Sequence, residues 1–246
     1  MSRPSHAQAE WWSLAFALAF PTLVTWVYFV ALADSSPALQ KSAYAIGKVI
    51  QFGLPIVWIL WIRRETAPAQ RPGSYAQFVG LALGGVFGLL ILGAILGIYY
   101  GILEPAGFFG DAIKNEIKGK LHGFGIAHTF QYVVLALFYC VVHSLLEEYY
   151  WRWFIFRALG QRLSLAPAAI ISGLGFMAHH VLVLGKYFGW DSPATYLFSL
   201  GVAIGGGIWA CLYDRTKSLL GPWLSHALVD AAIFIIGYHL VRDLLK

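Results

Sequence analysis

The chain has 246 residues, of which 59% are apolar and only 12% charged, with a net charge of +5. Soluble domains average about 45–50% apolar and about 25% charged residues. With a mean hydropathy of +0.67, this composition excludes a disordered chain, a disulfide-stapled secreted domain and an ordinary soluble enzyme, and it specifies a polytopic, all-α transmembrane helix bundle.

Seven stretches are long enough to cross a hydrocarbon core of about 30 Å at about 1.5 Å per residue. They cover approximately residues 11–33, 44–62, 76–100, 129–157, 166–185, 193–212 and 221–241. At this length only helices satisfy their own backbone inside lipid. The segment 101–128 is expected to hold a surface helix or an eighth span. The whole of 1–246 reads as one membrane-embedded domain without internal repeat, and 129–241 as its catalytic core.

The first stretch ends in Ala31-Leu32-Ala33, which resembles a signal-peptidase site. Its length of about 23 residues exceeds the ~7–15 of a signal h-region, so a retained first span is expected. Pro21 and Pro55 lie inside the first two spans, where proline is tolerated with a local kink. Trp11, Trp12, Trp58, Trp61, Tyr99, Tyr100, Trp190 and Trp223 fall near span ends, as interfacial belts require. Cys140 and Cys211 each sit within an apolar stretch and read as small core residues.

The link 63–75 carries Arg63, Arg64 and Arg71, so the positive-inside rule places it in the cytoplasm. Alternation then puts Arg157, Arg162, Arg215 and Lys217 on the side of the N-terminus and loop 101–128 outside. The positive charges sit at span ends and form no patch interleaved with exposed aromatics. The bilayer is therefore the expected partner, and nucleic acid is not. In the third span Gly80, Gly84 and Gly88, then Gly93, Gly97 and Gly101, recur every four residues. Each trio is expected to admit a neighbouring backbone, as is Gly205-Gly206-Gly207 in the sixth span.

An ionisable group inside lipid costs several kcal/mol unless it is paired or hydrated, which makes each one a functional candidate. They fall here in the fourth, fifth and seventh spans. In the fourth, Glu148 and Arg152 have the spacing and order of a helical ion pair. Glu147 is turned about 100° away from that partner, and a desolvated carboxylate suits a general base. His143, four residues earlier on the same face, is either a packing histidine or a group that tunes Glu147. In the fifth span His179 and His180 point about 100° apart, so one is expected inward. In the seventh, His226 and Asp230 share a face, where a carboxylate can fix an imidazole tautomer or join it on a metal. Each cluster alone also reads as a solvated helix end or a structural pair. Together, on three spans, they suit polarising one water for attack on a peptide carbonyl within the membrane.

Glu147-Glu148-xxx-Arg152, Phe176-xxx-His180 and His226-xxx-Asp230 resemble the three signature motifs of the CAAX protease and bacteriocin-processing (CPBP, Abi) family. These are intramembrane proteases, often described as metalloproteases, related to the type II CAAX prenyl endopeptidase. The run from Leu212 through Arg215, Ser218 and Pro222 to His226 resembles bacterial members. The resemblance spans roughly 129–241. It implies that Glu147 activates the water, that His180 holds the water directly or through a metal, and that His226 donates to the oxyanion. It makes Glu148 and Arg152 braces of the site and packs Phe176 beside His180. The family more often carries Asn at the last position. An ionised Asp230 cannot donate as Asn does, so this residue is protonated, orients His226 or ligates a metal. Metal dependence stays open: Glu147, His180 and His226 are candidate ligands for one divalent ion such as zinc, but the chain lacks an HExxH helix. A membrane-associated protein or peptide is the implied substrate, and a bacterial plasma membrane the implied location. Two other readings are a non-catalytic scaffold or immunity protein of the same fold and a metal or ion carrier, although carriers tend to show repeated halves.

Overall fold

A computed structural model describes residues 6–63 and 72–245. Most of the basic link at 63–75, on which the expected orientation rests, lies outside the described residues. The described chain is all helix and turn. Seven helices are long and apolar enough to cross a membrane: Glu10–Ala31, Pro37–Leu60, Ser74–Leu103, Thr129–Gly160, Leu165–Phe188, Pro193–Thr216 and Leu220–Leu244. They are called here the first to seventh spans. The segment 101–128 forms the helix Asp111–Gly123, which at 13 residues is too short to cross, so the described residues hold seven spans and no eighth. Val49, Leu90, Phe130 and Leu197 are each more than half exposed, the expected surface for a chain whose solvent on that side is lipid.

The spans divide into two compact units. One comprises Met1–Arg71 and Tyr149–Asp214, the other Pro72–Glu148 and Arg215–Lys246.

In the first unit, Ser36 caps the second span by accepting the Leu39 N–H, with Pro37 at the first helical position. Pro21 lacks the N–H that would bond the carbonyl of Ala17. The buried hydroxyl of Tyr150 donates to that carbonyl instead, at 2.6 Å, so the proline costs little and ties the first span to the fourth. Arg162 and Glu10 form an ion pair, which brings the end of the fourth span to the start of the first, as alternating crossings require.

In the second unit the third and seventh spans pack closely, running parallel. A Cβ built on Gly84 would lie 2.2 Å from the Gly221 carbonyl oxygen, and one on Gly88 would lie 2.9 Å from Ser225 Cα. Only glycine permits this approach. The second trio behaves differently: among the described residues a Cβ on Gly93, Gly97 or Gly101 meets nothing within 4 Å. The expectation of close packing therefore fails for that face. Tyr132 donates to the Phe234 carbonyl at 2.7 Å and Trp223 to that of Val141 at 2.9 Å, fastening the fourth span to the seventh.

The fourth span is not a uniform α-helix. It winds as a π-helix over Phe138–His143 and again over Tyr149–Phe156, with the α-helical turn Ser144–Glu148 between them. Wider turns of this kind are rare and recur at functional sites.

Candidate active site

Within the second unit, the turn Ser144–Glu148 and the first half of the seventh span bring four titratable side chains together. Glu147, Glu148 and His226 are buried. His226 Nδ1 lies 2.8 Å from Glu148 Oε1. An ionised carboxylate can only accept, so the proton of this hydrogen bond sits on Nδ1. The other ring nitrogen, Nε2, lies 3.8 Å from Glu147 Oε2 and 3.7 Å from Asp230 Oδ1. On the far side of Glu147, His143 Nε2 is 3.7 Å from Oε1. None of these three separations is a hydrogen bond. The Glu147 carboxylate thus stands within ion-pair distance of two imidazole nitrogens.

Local structure explains the placement. Glu147 and Glu148 are consecutive, so their side chains diverge around the helix and straddle the same imidazole, one on each ring nitrogen. Ser144 donates to the Cys140 carbonyl at 2.5 Å, which occupies a carbonyl at the change from π to α winding. The Tyr139 ring lies 4.9 Å from that of His143. Gly88 lets the third span press on Ser225, the residue before His226.

Within the first unit, the fifth span carries Phe176, His179 and His180. His180 is half-buried, and its Nδ1 lies 2.9 Å from the Phe176 carbonyl. Its ring sits 4.7 Å from that of Phe176, the neighbour expected from the motif. His179 is the more buried of the pair and stacks on Trp151 at 6.0 Å. Arg152 is fully buried. Its guanidinium lies over the rings of Phe176, at 5.0 Å, and Trp209, at 5.2 Å, and donates to the Gly206 carbonyl at 3.2 Å. A Cβ on Gly206 would lie 3.3 Å from that guanidinium, so the glycine run of the sixth span makes room for a buried cation.

Sequence reasoning left Asp230 protonated, orienting His226 or ligating a metal, and did not foresee that Glu148 accepts from His226 Nδ1 while Asp230 lies on the Nε2 side. It also missed Trp209 as a wall for Arg152. Among the described residues no group of three or more His, Cys, Asp or Glu is arranged to hold a metal ion.

What the second unit's cluster can do chemically follows from its groups. The buried Glu147 carboxylate is a group that can take a proton. An imidazole with its Nδ1–H fixed presents Nε2 toward that carboxylate. A second carboxylate, Asp230, lies on the same side.

No curated protein and no solved structure matches the chain. One family does: the model described as type II CAAX prenyl endopeptidase Rce1-like matches residues 129–232. That segment includes every motif residue from Glu147 to Asp230. With the seven apolar helices, it supports an integral, multi-pass membrane protein. Residues 129–232, the segment that carries the motifs, are similar to the Rce1-like family.

Proposed function

We propose that the chain is an intramembrane endopeptidase of the glutamate type, hydrolysing a peptide bond of a membrane-associated protein or peptide. The observation that carries this reading is the buried Glu147 carboxylate, flanked at 3.7 and 3.8 Å by the Nε2 atoms of His143 and His226.

In the proposed reaction Glu147 removes a proton from water as the oxygen attacks the scissile carbonyl carbon. The carbonyl π pair moves to oxygen, and His226, carrying a proton on Nε2 as well as on Nδ1 in this step, donates from Nε2 to the developing oxyanion, with Asp230 beside it. Glu147 then delivers the proton to the leaving amine as the C–N bond breaks. Glu148 is the positioning residue, since it holds His226 through Nδ1. The roles of His180 with the attacking water and of Phe176 beside it come from the family resemblance. Arg152, seated between Phe176 and Trp209, acts by holding the fifth span, which carries His180, against the sixth. The run from Leu212 to His226 resembles bacterial members, so a bacterial plasma membrane is the proposed setting.

The test is Glu147→Gln, which keeps size and removes the proton acceptor. General bases contribute about 10²–10⁴-fold. Membranes containing the wild-type chain should accumulate new peptide N-termini, and membranes containing Glu147→Gln should lack them, at unchanged melting temperature. Equal cleavage by both proteins refutes the assignment.

A further inference from the structure

The second unit contains a cavity that the proposed chemistry does not use. It measures about 340 Å³ and lies between the end of the third span, the end of the seventh span and the helix Asp111–Gly123. Because two spans end there, the cavity sits at headgroup depth.

Its lining is charged. Lys114 and Lys118 project one turn apart from the short helix, and Arg242 enters from the seventh span. Both lysines are half-buried, as when an aliphatic stem packs and the ammonium reaches a polar space. Among the described residues these three cations form no ion pair. Asp111 and Asp243 also line the cavity without an ionic partner. The remaining acid, Glu104, is taken by His239 at 3.0 Å. The uncommitted charges are therefore three positive and two negative. Tyr99 also lines the cavity, and its buried hydroxyl has no hydrogen-bond partner among the described residues, although such groups are nearly always satisfied. Just outside, Ile102 and Leu244 expose their apolar side chains, so the polar cavity opens beside a greasy surface.

We infer that this cavity binds the headgroup of a phospholipid, with the phosphodiester on Lys114, Lys118 and Arg242 and a primary amine near Asp111 and Asp243. A phosphodiester carries one negative charge, and three cations with a free phenol are ample donors for its oxygens. Two unpaired acids favour a headgroup that also carries an ammonium. Acyl chains then lie along the exposed apolar flank, where a soluble phosphate ester has nothing to contact. The inference is independent of the protease reading, because no residue of the candidate active site takes part.

The test uses the full chain in detergent, titrated with dioleoyl phosphatidylethanolamine and observed by native mass spectrometry. One lipid should be retained per chain. The triple variant Lys114→Gln, Lys118→Gln, Arg242→Gln should weaken retention at least tenfold. Lys120→Gln, which removes a cation from the same helix but outside the cavity, should not. Soluble glycerophosphoethanolamine, the same phosphodiester without acyl chains, should compete at least a hundredfold more weakly than the lipid, and dioleoyl phosphatidylglycerol should be retained less well. Unchanged retention in the triple variant overturns the site. Equal competition by glycerophosphoethanolamine overturns the lipid as its ligand, and equal retention of phosphatidylglycerol overturns the amine. Both ligand comparisons use the wild-type chain and stand even if the variant fails to fold. Cleavage activity should be measurable in the triple variant, which separates this result from any failure of the protease assignment.

Discussion

Replacing Gly84 with alanine tests how the second unit holds His226. The added Cβ would lie 2.2 Å from the Gly221 carbonyl oxygen and 2.7 Å from its Cα, against an ordinary contact of 3.4 Å or more. Both atoms are backbone, so no side chain can swing aside, and the third and seventh spans must part by about 1.2 Å. Overpacking of this kind costs ~1–3 kcal/mol. The shift falls about one and a half turns before His226, whose Nδ1 lies 2.8 Å from Glu148 Oε1. A retreat of that size breaks the hydrogen bond, and a misplacement near 1 Å costs about 10²-fold in rate. Gly84→Ala should therefore lower both the melting temperature in detergent and the cleavage rate. Gly97→Ala, at a position where a Cβ meets nothing within 4 Å, should leave the rate unchanged. Melting curves and turnover on one reconstituted substrate decide the matter. If Gly84→Ala melts and cleaves like wild type, the glycine contact does not position His226.

Glu148→Ala leaves a buried imidazole N–H without its acceptor, at a cost of ~1–3 kcal/mol, and should reduce turnover strongly. Glu148→Gln can still accept from Nδ1 through its amide oxygen and should retain more activity, and equal losses would argue for charge over orientation. Asp230→Asn supplies a donor on the Nε2 side of His226 and is expected to stay within about tenfold of wild type, whereas Asp230→Ala should lose about 10²-fold, the usual scale for an oxyanion-side group. Single-turnover rates distinguish the two. A chelator that strips zinc should leave cleavage unaltered, because the proposed chemistry uses Glu147 without a metal. Loss of activity restored by added zinc would overturn that part of the proposal.

Hydropathy alone revealed the seven spans, because crossing lipid imposes a length and an apolar composition that few other structures share. The residue clusters were visible for the same reason: a charge inside an apolar run is conspicuous. Partner choice was less legible. The spacing of Glu148 gave no sign of its hydrogen bond with His226, 78 residues away. Spacing within one helix carries no trace of such a contact. The two glycine trios show the same limit. Their period names a face, and only the fold decides that Gly84 meets Gly221 while Gly97 meets nothing. The π-wound turns on either side of Glu147 were equally hidden, since aromatic and β-branched residues there fit an α-helix in any local reading.

The zipper of Gly84 and Gly88 against Gly221 and Ser225 has a consequence for engineering. The Rce1-like segment begins at residue 129, and the third span, Ser74–Leu103, precedes it. A fragment cut at the family boundary would keep every motif side chain and lose the wall against which the His226 helix rests. The signature residues are thus not a portable cassette. Transplanting them into another scaffold requires a glycine-faced helix to travel with them.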